Sequence, residues 1–151
     1  MPELQSNFLF TIRISVDDLC DIGATPFGTR HIDMLGEGSF EGPKLRGVVI
    51  GGIDQKIFRS DGAMNPNVRL VLKTDDEALI YMSYTGIRHG SKEVMERIAS
   101  GKEVDTSEYY LRNTPYFETS APQHDWINRI VSVGIGRRMP DHTAYDIFEI
   151  L

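Results

Sequence analysis

At 151 residues, 40% hydrophobic and 25% charged, the chain has a globular balance and enough length to bury a core, so it reads as one domain over residues 1–151. Its formal net charge is −6, from 22 acidic against 16 basic residues. An acidic surface repels phosphate backbones, and the densest basic spot is only Arg137-Arg138, so no nucleic-acid partner is expected.

Apolar residues recur with a period of two along most of the chain, the mark of half-buried strands. Phe8, Phe10, Ile12, Ile14 and Val16 fall on one face, with Leu9 as the exception, and Asp17-Asp18 breaks the run. Thr29–Leu35 is a weaker strand after the turn residues Pro26 and Gly28. Glycines bracket Ser39-Phe40-Glu41, and Leu45–Ile50 reads as a strand ending at Gly51-Gly52. Gln55–Arg59 is short and closes at Asp61-Gly62. Val68–Thr74 then runs through a tight turn at Asp75-Asp76 into Ala78–Arg88. In that strand Ala78, Ile80, Met82 and Tyr84 share one face, and Leu79, Tyr81, Ser83 and Thr85 the other. Ser91 as N-cap, an apolar stripe at Val94, Met95 and Ile98, and Gly101 as stop predict one short helix. Tyr109–Thr119 returns to strand, with Pro115 marking a kink or an edge. Ala121–Trp126 is a loop or a single helical turn, and Ile127–Ile135 and Thr143–Ile150 are the last strands.

Roughly nine or ten short strands at regular spacing predict an all-β, antiparallel architecture with one short helix. The 14 glycines suit the bends and bulges of a closed β-barrel, lipocalin-like or allene-oxide-cyclase-like. A sandwich is the alternative, and periodicity alone does not separate the two.

One stretch is specific. Gly38-Ser39-Phe40-Glu41-Gly42-Pro43-Lys44-Leu45-Arg46-Gly47 carries a G-x-F-E-G-P-x-L-x-G pattern. Further matches in order are Arg59-Ser60-Asp61-Gly62, Thr74-Asp75-Asp76 with Ala78-Leu79-Ile80-Tyr81, and Glu108-Tyr109-Tyr110 with Arg112, Pro115, Phe117, Glu118 and Thr119. Trp126-Ile127-Asn128 and Val133-Gly134-Ile135-Gly136 complete the series. From about Phe8 to Glu149 the chain thus resembles the bacterial domain-of-unknown-function family 3237, also called uncharacterised protein family 0311. The resemblance implies a small antiparallel barrel, often self-associated, and names no reaction. Gln55, where an aromatic usually follows the Gly-Gly-x-Asp stretch, and Asn65-Pro66-Asn67 depart from the pattern.

A barrel turns alternate side chains inward, and several polar groups on an inner face mark a wet pocket. The candidates for such a face are Glu41, Asp61, Arg69, Tyr81, Tyr84, Tyr110, Arg112, Trp126 and Asn128. Glu41, held between glycines, is the expected general base, or else a carboxylate that fixes a turn. Arg112 with Tyr81 or Tyr84 would donate to an oxyanion. Arg69 is an anion clamp if its face is inside, and solvated if Leu70 and Leu72 form the core. Tyr110, Arg112, Thr114 and Tyr116 form either a ligand-lining row or an outward cross-strand ladder. Asp61 reads as a hairpin-turn residue, Trp126 as a plug, and Asn128 as a hydrogen-bonding residue that could orient a ligand carbonyl.

No pair among His31, His89, His124 and His142 has metal-ligand spacing, although His31 and Asp33 share a strand face, so no metal is expected. The single Cys20 rules out an intrachain disulfide and a cysteine-based zinc site, and fits a reducing cytoplasm. The start MPELQSNFLF lacks a signal-peptide pattern, and no apolar run nears the ~20 residues of a membrane helix. Phosphate-loop and nucleophile-elbow motifs are absent, so no cofactor is expected either. Two functions fit. One is a cofactor-independent isomerase, cyclase or lyase for a small carbonyl or aromatic metabolite. The other is a lipocalin-like protein that binds a small molecule without changing it. Self-association is expected if the Phe8, Phe10, Ile12 and Ile14 row lies outside.

Overall fold

A computed structural model describes all residues, Met1–Leu151. It is all-β and mostly antiparallel, with one α-helix and two short 3-10 segments, Thr106–Glu108 and Pro122–Arg129. The strands are β1 (Ser6–Ile14), β2 (Val16–Thr25), β3 (Gly28–Leu35), β4 (Gly38–Glu41), β5 (Arg46–Phe58) and β6 (Met64–Asn65). They continue with β7 (Asn67–Thr74), β8 (Leu79–Gly90), β9 (Tyr109–Glu118), β10 (Val131–Arg138) and β11 (Thr143–Ile150). Helix α1 (Lys92–Ala99) follows β8, with the Ser91 hydroxyl accepting from the Val94 N–H at 3.2 Å as the N-cap.

β1 pairs with β4 and β11, β4 with β5, and β5 with β7. From β7 the pairings run through β8, β9 and β10 to β11, which meets β1 again. The β2–β3 hairpin adds to β5 through β3.

Two bulges set which side chains face the core. In β1 the register shifts between Phe8 and Phe10, so Leu9 and Phe10 are both buried and Phe8 is exposed. Phe10, Ile12 and Ile14 are core residues, which removes the apolar outer row expected to drive self-association. In β5 the register shifts between Val49 and Gly51, and Gly51 has φ of 150°, a conformation that favours glycine. The bulge joins two predicted strands into one of 13 residues and reverses their alternation: Val49 points in before it, Asp54 and Lys56 after it. β2 has no counterpart among the predicted strands, because Asp17-Asp18 reads as a break. Its side chains are mostly exposed, so no pattern of burial marks the strand.

The inner face of β8 changes character along its length, from Ile80 and Met82 to Tyr84 and Arg88. At the Ile80 end the interior is packed solid. Phe10 meets Phe40 and Phe117 edge to face at 5.4 and 5.8 Å between centroids, and Leu72, Ile80 and Met82 fill the space beside them. The 3-10 segment after β9 closes this end with Ile127, which is why the predicted strand at Ile127 begins only at Val131. Burying these large apolar side chains is worth about 1.5–3 kcal/mol each, so this half carries much of the stability.

Candidate functional site

At the Tyr84 end the interior is hollow, with a cavity of about 60 Å³. That is room for about four to six water-sized groups. Its walls combine apolar side chains, among them Ile14, Leu35, Val68 and Leu111, with Asp54, Lys56, Tyr84, Arg88, Arg138 and Tyr145.

Each polar member is placed by strand register. Asp54 on β5 lies opposite Asp33 on β3 and Val68 on β7, and Val68 in turn lies opposite Tyr84 on β8. Lys56, two residues further on the same face, puts its Nζ 2.7 Å from Asp33 Oδ2 and 3.8 Å from Asp54 Oδ2. Asp33 is fully buried, and its Oδ1 has no hydrogen-bond partner. Asp54 accepts from the Asn67 N–H at 3.1 Å. Burial pushes the Asp54 carboxyl above its ordinary range, against the pull of the Lys56 ammonium.

Tyr84 and Tyr145 meet edge to face with centroids 5.4 Å apart. Burial pushes both phenols up, with Tyr145 and Asp54 adding at Tyr84 and Asp54 adding at Tyr145, so both are neutral O–H donors at neutral pH. Gly136, opposite Tyr145 across β10 and β11, leaves space for that ring. Arg88 and Arg138 complete the wall. Burial lowers both guanidiniums, and each remains a cation.

A buried carboxylate, two neutral phenols and cations around a small hollow can take a proton and hydrogen-bond a developing negative charge. His124, His142 and His31 pair with Asp76, Asp141 and Asp21 respectively, and no group of three His, Cys, Asp or Glu side chains is placed to hold a metal ion.

Of the residues expected to line the interior, the structure brings only Tyr84 to this hollow. Glu41 lies on the outer face opposite Arg46 at 3.6 Å, with its side chain 69% exposed, because the inward position of β4 belongs to Phe40. Arg112 is also outside, its guanidinium stacked 4.6 Å from the Tyr110 ring centroid, since Leu111, Asn113 and Phe117 take the inner face of β9. Tyr110 stacks in turn on His89, so the row is the outward ladder. Tyr81 is half-buried on the outer face of β8, and Arg69 is exposed and donates to Asn67 Oδ1. Asp61 fixes its turn through Arg59 and the Ala63 N–H. Asn128 exchanges hydrogen bonds with the Thr119 backbone at 2.8 and 2.9 Å. Trp126 is partly buried against the core at the opposite end, under Lys44 Nζ at 5.0 Å.

The fold and the hollow define a small all-β protein with a polar chamber on the inner side of an antiparallel sheet. The chain belongs to the family described as Protein of unknown function (DUF3237), whose model matches residues 4–150. It is 30% identical to a UPF0311 protein of Rhodopseudomonas palustris over 99% of both chains. The crystal structure of a conserved protein of unknown function from that organism superposes with a TM-score of 0.95, covering 100% of each chain. A "beta-barrel like protein" of Acinetobacter baumannii is 35% identical, with a TM-score of 0.86 over 100% of this chain and 98% of that one. An enzyme from Penicillium herquei shares the fold alone, at 17% identity and a TM-score of 0.75 over 100% of this chain and 98% of the other. No helix is long and apolar enough to cross a membrane.

Proposed function

We propose that the eight-strand pairing circuit forms a closed barrel, and that the chain is a cofactor-independent enzyme that moves a proton on a small carbonyl compound held in its hollow. The observation that carries this reading is the placement of Asp54 beside Tyr84 and Tyr145 in one buried chamber. Asp54 removes a proton from the carbon next to a substrate carbonyl. The C–H electron pair moves onto the carbonyl oxygen, and a tyrosine hydroxyl donates to the resulting enolate. Return of the proton to another carbon gives isomerisation, and loss of a leaving group gives a lyase.

The test uses enolisable ketones and keto acids in D₂O, with deuterium uptake followed by NMR. Wild-type protein accelerates uptake for at least one of them. Asp54→Asn retains the fold and loses at least ~100-fold in rate, the scale that general-base catalysis supplies. Binding without any accelerated uptake would replace this reading with the second one, a lipocalin-like binding cup.

A further inference from the structure

Arg88 has an environment that the proton-transfer reading does not use. It is 9% exposed, it makes no side-chain hydrogen bond or ion pair, and its Nε is sealed from solvent without a partner. Arg138 lies close enough for the two guanidiniums to repel each other. Arg138 also forms no ion pair. It donates to the carbonyls of Met139 at 2.5 Å and His142 at 2.6 Å. Asp141 lies beside it, but that carboxylate is 87% exposed and bonded to His142 Nδ1.

Buried cations are costly unless an anion neutralises them. Neither carboxylate at this end forms an ion pair with Arg88, although the charge of Asp54 favours its cation from a distance. Asp33 is held by Lys56, and Asp54 lies nearest the same ammonium. Lys56, Arg88 and Arg138 thus line the hollow with Asp54 as its one carboxylate, Lys56 is taken by Asp33, and neither guanidinium has a carboxylate at ion-pair distance, so the hollow suits a further negative charge. A guanidinium presents a planar fork of N–H groups, which matches the two oxygens of a carboxylate. The hollow admits a group of a few heavy atoms. Arg88 and Met64 also wall a larger groove of about 490 Å³ bounded by Phe58, Met95 and Ala99, where the rest of a longer molecule can lie.

We infer that Arg88 and Arg138 form a receptor for the carboxylate of a small organic acid, so that the compound handled in the hollow is a monocarboxylate. This rests on the hollow being the working site, and it stands whether or not Asp54 acts as a base.

The experiment is an NMR titration of ¹⁵N-labelled protein with propionate, propionamide and inorganic phosphate, reading the Arg88 Nε–H signal and the dissociation constants. Propionate is expected to shift that signal and to bind at least ~10-fold tighter than propionamide, which has the same shape without the charge. Arg88→Met is expected to weaken propionate at least ~10-fold, with Arg88→Lys in between because it keeps the charge and loses the fork. Equal affinity for propionamide, tighter binding of phosphate, or an unchanged constant in Arg88→Met would each overturn the inference. Should Arg88→Met not fold, the comparison of ligands on wild-type protein decides alone. The readout is binding, so a failure here is distinct from a failure of proton transfer.

Discussion

Asp33 and Asp54 stand directly opposite each other on paired strands β3 and β5, and the Lys56 ammonium reaches both, 2.7 Å from the first and 3.8 Å from the second. Two carboxylates so close to each other persist in a buried place because one cation sits between them. Lys56→Met removes it and leaves Asp33 as an uncompensated buried charge. The expected cost is about 3–5 kcal/mol in urea unfolding, and the double variant Asp33→Asn with Lys56→Met recovers most of it. A single variant as stable as wild type would show that the pair does not hold these strands together.

Asp54 gives a stability signature with a definite sign. Its folded carboxyl titrates above the ordinary 3.8, so between that value and its raised one the folded chain holds more protons than the unfolded chain. Stability therefore falls as pH rises through this window, and above it the whole penalty is present. Asp54→Asn removes the penalty, and its melting temperature at neutral pH is expected to exceed that of wild type. The gain is about 2–4 °C for each kcal/mol at this chain length, and it disappears below pH 3.8. A variant less stable than wild type at neutral pH would mean that Asp54 is a structural anchor.

The two phenols separate an inner site from an outer one. Removing a single donor to a developing oxyanion costs about 100- to 1,000-fold in turnover. One of Tyr84→Phe and Tyr145→Phe is expected to show that loss in deuterium uptake while keeping the fold. Glu41→Gln and Arg112→Ala, both on the outer face, are expected to stay within about twofold of wild type, as surface changes away from a site do. Full activity in both phenylalanine variants would remove the phenols from the reaction.

Gly136 links packing to the site. A Cβ there would sit 2.5 Å from Leu111 Cγ and 2.7 Å from Tyr145 Cε1. Gly136→Ala therefore has to displace both Leu111 and the tyrosine ring, at about 1–3 kcal/mol for overpacking. Thermal unfolding and deuterium uptake are expected to fall together. A loss of stability with full activity would place the Tyr145 ring outside the reacting geometry.

Much of the fold is legible in the residues. The alternation separates Ile80, Met82 and Tyr84 from Tyr81 on β8, and Val68, Leu70 and Leu72 from Arg69 on β7, without saying which side is inner, and Ser91 marks the start of α1. The site is harder to read, for three physical reasons. The bulge at Gly51 reverses the phase of β5, so no constant alternation points Asp54 and Lys56 inward. A lone Asp or Arg in a strand ordinarily faces water, and only the register that sets Asp33 against Asp54 reveals these as buried. Arg88 stands near the end of β8, where burial depends on elements remote in sequence. Glu41 and Arg112 sit in motif-like surroundings, but Phe40 and Leu111 occupy the inward positions beside them. The usable signal lay in Gly51-Gly52 followed by Asp54: adjacent glycines in a strand announce a bulge, and a bulge re-aims the side chains after it.

Whether the hollow is the place of work is most directly decided by a crystallographic map of the protein soaked with a small keto acid. Density for the acid is predicted inside, with its carbonyl within hydrogen-bonding reach of Tyr84 or Tyr145 and an acidic carbon facing Asp54. An interior holding only water, with the acid resting instead on the Glu41 and Arg112 surface, would contradict it.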